Sequence, residues 1–473
     1  MNNVATTTHN RWVFLGVISL GLFLIAADNS ILYSALPTLR EQLHTTELEG
    51  LWVINAYPLV LAGLLLGTGT LGDRIGHRFM FEAGLAIFGL ASLVAAFAPN
   101  PEVLIAARAF LGMGASAMMP ATLALIRITF TDPRERNTAI GIWGSVATVG
   151  SAAGPVLGGL LLEHFWWGSV FLINLPVVLV ALVATHLLAP ANVTNPDKHW
   201  DLISSIIAMV AMGGVVLAIK ELTHSPINPV LLAAYVAAFV LGAAGFAHRQ
   251  RRLTQPLVTA DIFANRLFVA GVVGAMLSMF ILAGTELLTT QRFQLAEGLS
   301  PLEAGLINGA IAMAAFPTSI WGGANLHRLG FRPIISGGFL VIAAGLATSL
   351  LALGTGAGFG WFMTGAMGLG LGIGLVMSVT STAIIGSAPR HRAGMASALE
   401  EVSYELGTVL SIAILGSLMS MFIHGPLDTA TPKAIDFAYV ATMCVALAVS
   451  VVAMVVTFIL LKGNPKETEY AHE

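Results

Sequence analysis

Five acids, Asp28, Glu286, Glu400, Glu401 and Glu405, lie inside long apolar stretches of this chain, and so does one base, Arg108. A carboxylate at the centre of a bilayer costs about 2.5–3.5 kcal/mol on insertion scales, so an acid retained there marks a pathway or a site. The chemistry open to it is reversible: it holds a proton when alone and gives it up when a cation takes its place. Asp28 stands about seventeen residues into the first apolar stretch, near mid-depth; the alternative for it is a fixed hydrogen-bonding role toward neighbouring helices. Ser397, Glu401, Tyr404, Glu405 and Thr408 recur at helical spacing and form one polar stripe, which inside a membrane faces water or a protein neighbour. Glu405 is nearest mid-depth, while Glu400 could instead be a near-interface residue solvated by a vestibule. Glu286 lies close to Gln291 and Arg292, so a salt bridge and a ligand contact are both open to it. Arg108 must pair, line a cavity or anchor backbone carbonyls, and the sequence does not name its partner. Tyr33 and Tyr57 could offer π faces to a delocalised cation, and Asn55 an amide. Tyr33, Asn55, Tyr57 and Glu286 are therefore the candidate ligand contacts. Aromatics nearer the ends of apolar stretches, such as Trp12, Trp166, Trp167 and Trp361, read as interface anchors.

The elements that position these groups follow from composition. Of 473 residues, 56% are hydrophobic and only 10% charged, against about a quarter charged in a soluble chain. Mean hydropathy is +0.84. Disordered, collagen-like and disulfide-rich classes are excluded by the same numbers. A net charge of −3 gives no reason to expect nucleic acid. There is no G-x-x-x-x-G-K-[ST] loop, no H-E-x-x-H pair and no nucleophile motif, so enzymatic turnover and ATP hydrolysis are not expected. The run Gly368-Leu-Gly370-Leu-Gly372-Ile-Gly374 lacks the flanking strand of a nucleotide loop and reads as tight helix packing. Fourteen spans are expected, at 12–37, 49–71, 79–98, 103–126, 138–162, 167–188, 202–220, 229–247, 267–291, 302–322, 333–353, 359–385, 394–423 and 436–461. They must be helical because lipid offers exposed peptide groups no partners. The first is too long for a signal peptide and is interrupted by Asp28 and Asn29, so it reads as a retained helix. With both termini placed in the cytoplasm, 17 of the 22 Lys and Arg residues fall in inner segments and four in outer ones. That bias fixes the orientation.

The segment Gly69-Thr-Leu-Gly-Asp73-Arg74-Ile-Gly76-His-Arg78 repeats at a shift of 254 as Gly323-Ala-Asn-Leu-His327-Arg328-Leu-Gly330-Phe-Arg332. Both copies face the same side, which is the arrangement of two-halved secondary transporters. Two six-helix halves, 1–190 and 251–473, account for twelve spans. The pair within 191–250, whose central stretches carry few polar side chains, is then an insertion facing lipid. Gly150, Gly154, Gly158 and Gly159 line one helix face and allow close packing, and Pro155 permits a bend.

Gly69-x-x-x-Asp73-Arg74-x-Gly76-x-Arg78 resembles the loop signature of the major facilitator superfamily. Leu104-x-x-x-Arg108-x-x-x-Gly112 resembles its fourth-helix motif, and Gly150-x-x-x-Gly154-Pro155-x-x-Gly158-Gly159 the fifth-helix motif of its antiporters. Asp28-Asn-Ser-Ile-Leu-Tyr-Ser-Ala-Leu-Pro37 and Trp166-Trp-Gly-Ser-Val-Phe-Leu-Ile-Asn174-Leu-Pro176 resemble segments of its fourteen-span drug:proton antiporters. The resemblance covers the whole chain. It implies an all-α membrane protein of the major facilitator fold, in a bacterial inner membrane. It further implies a monomer that exports lipophilic and quaternary ammonium cations (viologens, antiseptics, acridine- and ethidium-type dyes) in exchange for protons, with no cofactor beyond the proton gradient. Asp28, Arg108 and the three acids Glu400, Glu401 and Glu405 would couple the proton to the drug. Asp73 would latch onto a helix N-terminus, Arg74 and Arg78 would pair across the same boundary, and Gly76, Gly154, Pro155 and Gly158 would serve the conformational change. A further acidic position that antiseptic exporters of this family carry on the tenth span has no counterpart within Leu306–Ile320. A nutrient symporter of the same fold is the alternative, and a passive channel or sensor a more distant one.

Overall fold

The structure, a computed structural model, describes residues 8–196, 200–223, 227–253, 256–388, 393–423 and 430–462. Lys198, Arg390, Arg392 and Lys466, which contribute to the charge asymmetry, lie outside the described residues. Fourteen helices are long and apolar enough to cross a membrane, and no strand occurs among the described residues. In chain order they are α1 (Thr8–Leu43), α2 (Glu47–Ile75), α3 (His77–Ala96), α4 (Pro101–Thr129), α5 (Pro133–His164), α6 (Ser169–Leu188) and α7 (Leu202–Thr223). They continue as α8 (Pro229–Arg252), α9 (Arg266–Leu295), α10 (Pro301–Leu329), α11 (Phe331–Thr355), α12 (Phe359–Gly386), α13 (Met395–Ile423) and α14 (Pro432–Leu460).

Local chemistry sets the helix ends. Asn100 and Asn228 cap helices that open on proline, where the missing N–H costs nothing. Thr46 with Glu49, and Ser300 with Glu303, form reciprocal capping boxes. The first helix runs six residues beyond the expected end at Pro37. A single proline removes one backbone bond, which a membrane helix tolerates when neighbours compensate. Helix α6 is interrupted at Ile173, because Pro176 has no N–H to give the carbonyl of Leu172. Helix α13 passes through one π-helical turn at Ile412–Gly416.

The chain forms two compact units, Met1–Met209 and Val210–Glu473. Within the first, α1 packs on α5, α6 and α4; α2 on α4; and α3 on α4 and α6. Within the second, α9 packs on α13, α14 and α12; α10 on α12; and α11 on α12 and α14. Each pairing in one unit recurs in the other eight helices later. The repeat extends to atomic detail. Helices α2 and α10 are both 29 residues long, begin in capping boxes 254 positions apart, and end at Gly76 and Gly330 with φ of +96° and +80°. Positive φ at both chain reversals favours glycine. Of α8, only Gly242 and Gln250 are buried, so most of its apolar surface is open.

Candidate functional site

The first unit encloses a charge cluster at the middle of α1. Arg108 of α4 donates from Nη1 to Oδ2 of Asp28 at 2.5 Å, and both side chains are fully buried. The same guanidinium donates from Nε to the carbonyl of Val53 at 3.1 Å and lies 4.6 Å from the centre of the Tyr57 ring. The Tyr57 hydroxyl donates to the carbonyl of Ile25 at 3.3 Å. The second carboxylate oxygen, Oδ1, accepts from Nδ2 of Asn174 at 2.8 Å, and that nitrogen also donates to Oγ of Ser92 at 3.1 Å. Four helices thus hold one ion pair: α1 supplies the anion, α4 the cation, α2 an aromatic face and a carbonyl, and α6 an amide. The break in α6 falls immediately before Asn174.

Arg108 therefore has the partner that sequence alone leaves unnamed. Its guanidinium occupies the Tyr57 face, so in this state the ring meets an internal cation rather than a ligand. Tyr33 is buried at 3% exposure and Asn55 at 0%. The Asn55 amide has no hydrogen-bond partner on either terminal atom among the described residues. Ser92 is not singled out by the sequence, and Asn174 enters there only as part of the Trp166–Pro176 motif, without a role; the available signal is a polar residue about two turns beyond the interface tryptophans and two residues before Pro176. Asn174→Leu removes a donor from the buried Asp28 carboxyl. We expect it to lower unfolding stability by about 1.5–3 kcal/mol, measured by thermal denaturation in detergent.

The glycines of α5 press on α1 on both sides of Asp28. A Cβ at Gly154 would meet Ser30 Oγ, the Ala27 carbonyl at 2.8 Å and the Ile31 nitrogen at 3.0 Å; one at Gly150 would lie 3.0 Å from the Phe23 carbonyl, and one at Gly158 the same distance from that of Ile31. Ser34 donates to the carbonyl of Pro155 at 3.2 Å. The small-residue face is a contact surface for the helix that carries the acid.

At the α2–α3 reversal, Asp73 and Arg74 are exposed. Asp73 accepts from His77 one turn on, at 3.0 Å. Arg74 makes no ion pair among the described residues, and its carbonyl accepts from the Asn195 amide at 3.1 Å. Asn192 bridges the reversal, donating to the Ile75 carbonyl at 2.8 Å and accepting from the Phe79 amide at 3.2 Å. A side chain at Gly76 would collide with it. Arg78 pairs with Glu82 at 3.1 Å and donates to the carbonyls of His186, Ala189 and Pro190. It thereby caps the C-terminus of α6, where a positive charge is also favoured by the helix dipole. In the second unit Arg332 donates to the carbonyl of Phe458, two residues before the end of α14, as His186 is two before the end of α6. Arg78→Ala is expected to cost about 1–2 kcal/mol of stability in the same denaturation assay, the range for charged hydrogen bonds at a partly exposed site.

The second unit carries the other acids. Glu400 is buried at 7% exposure and accepts from the Tyr404 hydroxyl at 3.1 Å, so it is enclosed rather than solvated. Glu401 and Glu405 are partly exposed. Helix α13 approaches α9 closely: a Cβ at Gly407 would strike the Met276 carbonyl, and Ser411 donates to the carbonyl of Phe280. Glu286 is also 7% exposed. Arg292 does not pair with it; its partners are Asp436 at 2.7 Å and Glu297 at 2.9 Å.

Two units with the same helix packing, each burying ionisable groups among its membrane-spanning helices, describe a two-halved membrane protein. Residues 18–293 match the Major Facilitator Superfamily. The chain is 38% identical to the methyl viologen resistance protein SmvA of Salmonella typhimurium, over 87% of this chain and 83% of that one. It is 36% identical to the multidrug efflux pump LfrA of Mycolicibacterium smegmatis, over 89% and 83%. Among solved structures, a POT family transporter in complex with 5-aminolevulinic acid superposes with a TM-score of 0.71 at 16% identity, covering 96% of this chain and 97% of that one. This chain belongs to the Major Facilitator Superfamily: it is a multi-pass membrane transporter and not an enzyme.

Proposed function

We propose that this chain is a proton-coupled multidrug exporter of a bacterial inner membrane, with both termini cytoplasmic. It works as a monomer on lipophilic and quaternary ammonium cations such as methyl viologen, biocides and ethidium-type dyes. It draws on the proton gradient and uses no cofactor. The drug-efflux relatives support the export of drugs. The observation that carries the coupling is the buried Asp28–Arg108 pair. With Asp28 ionised, the pair is neutral and a cation can approach. With Asp28 protonated, Arg108 is left as an uncompensated positive charge in a low-dielectric setting and repels a cationic drug. Proton and drug thus exclude one another through one charge, which is the negative linkage that exchange requires. Asn174 keeps Oδ1 oriented while Oδ2 exchanges partners. Glu400, Glu401 and Glu405 form a second acidic station on α13.

The test uses inside-out vesicles with an acidified lumen. Ethidium should accumulate inside while the lumen loses protons, and an uncoupler, by collapsing the gradient, should release the accumulated dye. Exit of preloaded ethidium together with protons would point to symport, and flux indifferent to the uncoupler to a passive channel.

A further inference from the structure

Glu286 is a buried acid that the coupling pair does not use. Among the described residues it makes no ion pair and no side-chain hydrogen bond; its nearest basic neighbour along the helix, Arg292, bonds Asp436 through Nε and Glu297 through Nη2, and its Nη1 has no partner among the described residues. The guanidinium of Arg292 also lies 4.7 Å from the Phe293 ring and 5.7 Å from that of Tyr439. Asn308 of α10 sits against the same turn of α9. Its Nδ2 donates to the Glu286 carbonyl at 3.1 Å and to Thr290 Oγ1 at 2.8 Å, and Thr290 returns a bond to the Glu286 carbonyl at 2.8 Å. Thr290 is four residues after Glu286 and so shares its helix face. Asn308 is fully buried, and its Oδ1 has no partner among the described residues.

The side chains on this face are thus short of donors. A carboxylate and an amide oxygen have acceptor capacity unfilled, whereas the amide nitrogen is already used twice. Buried acceptors of this kind are normally satisfied, and a buried carboxylate requires a positive charge or a proton. The group that completes the set must supply N–H or O–H donors as well as charge. A quaternary nitrogen supplies charge alone.

We propose that Glu286 and Asn308 form a subsite, within the second unit, for cations bearing N–H donors: protonated amines, amidines and guanidines. This rests on the exporter function proposed above and refines its substrate class. The subsite holds one cation at a time, a proton or the ligand's N–H group. Quaternary and phosphonium cations pass through the protein without it.

The experiment uses the full chain in proteoliposomes under an imposed proton gradient, with pentamidine as the amidinium probe and tetraphenylphosphonium as the cation without N–H. Glu286→Gln is expected to lower kcat/KM for pentamidine by about tenfold or more, because a site built to hydrogen-bond its ligand discriminates strongly once that bond is lost. Tetraphenylphosphonium transport should stay within about twofold, and it reports directly that the variant is folded. Asn308→Leu should lose pentamidine selectively as well, and Glu286→Asp should retain more pentamidine transport than Glu286→Gln. Equal loss of both probes in Glu286→Gln, or no loss of pentamidine, overturns the subsite. Should Glu286→Gln fail to insert, Asn308→Leu and Glu286→Asp carry the same comparison: selective loss of pentamidine supports the subsite, and equal or no loss overturns it. A wild-type protein that moves neither probe against a gradient would remove the exporter function itself, whereas wild type moving both without selective loss in the variants removes only this subsite.

Discussion

Arg108→Met is expected to destabilise the protein by about 3–5 kcal/mol, the range for stripping one partner from a buried ion pair. The substitution leaves Asp28 fully buried, with Asn174 as its remaining donor from the cluster and no counter-charge. The double variant Asp28→Asn, Arg108→Met should recover most of that loss. Neither charge remains, the new amide oxygen still accepts from Asn174, and Met fills much of the volume against Tyr57. Arg108→Lys should fall between: it keeps the charge but loses the flat face on Tyr57 and the fork that reaches both Asp28 and Val53. The single and double Met variants are expected to lose ethidium/proton exchange, because coupling needs a cation that the acid can release, whereas Arg108→Lys, which keeps one, should retain part of it. Thermal unfolding in detergent, combined with exchange in vesicles, separates the two effects. A single variant no less stable than the double would contradict the pair as described.

Gly154→Leu should be nearly as damaging, for a different reason. Besides the Ser30 hydroxyl, its Cβ would meet backbone atoms of α1 at Ala27 and Ile31, which flank Asp28 and cannot rotate away. The helices must separate. Overpacking of this kind costs about 1–3 kcal/mol, and the displaced α1 carries Asp28 out of reach of Arg108 and Asn174. A misplacement of about 1 Å at a reacting group can cost about a hundredfold in rate, so the initial rate of exchange should fall by that order even where the protein still inserts. Gly144, on the same helix, has nothing within 4 Å of its Cβ position. Gly144→Ala should therefore leave both stability and exchange close to wild type, which controls for the loss of a glycine from α5.

What can be read from sequence follows the range over which each signal acts. Fourteen apolar stretches announce fourteen helices, since hydropathy is local, and the repeat is visible in four matching positions of two loops. Its extension to paired capping boxes is equally legible in Thr46-x-x-Glu49 and Ser300-x-x-Glu303. Asp28 and Arg108 stand out separately as charges in apolar surroundings. That they pair is not legible, because they are 80 positions apart and their meeting depends on how α1 and α4 cross. The targets of Arg78 are hidden for another reason. They are backbone carbonyls, which every residue has, so no side-chain pattern singles out the end of α6. Asn174 is visible as a polar residue in an apolar run, but only the break before Pro176 brings it to Asp28. The Tyr57 ring suits a cation, as its type and place suggest; the cation it meets here is the protein's own.

The measurement that bears most directly on the exchange mechanism is proton release on cation binding by the purified protein in weakly buffered detergent, wild type against Asp28→Asn. Wild type should release protons as tetraphenylphosphonium saturates, and Asp28→Asn should release fewer by the share that Asp28 carries, together with loss of exchange in vesicles. Undiminished proton release and undiminished exchange in Asp28→Asn would place the coupling elsewhere.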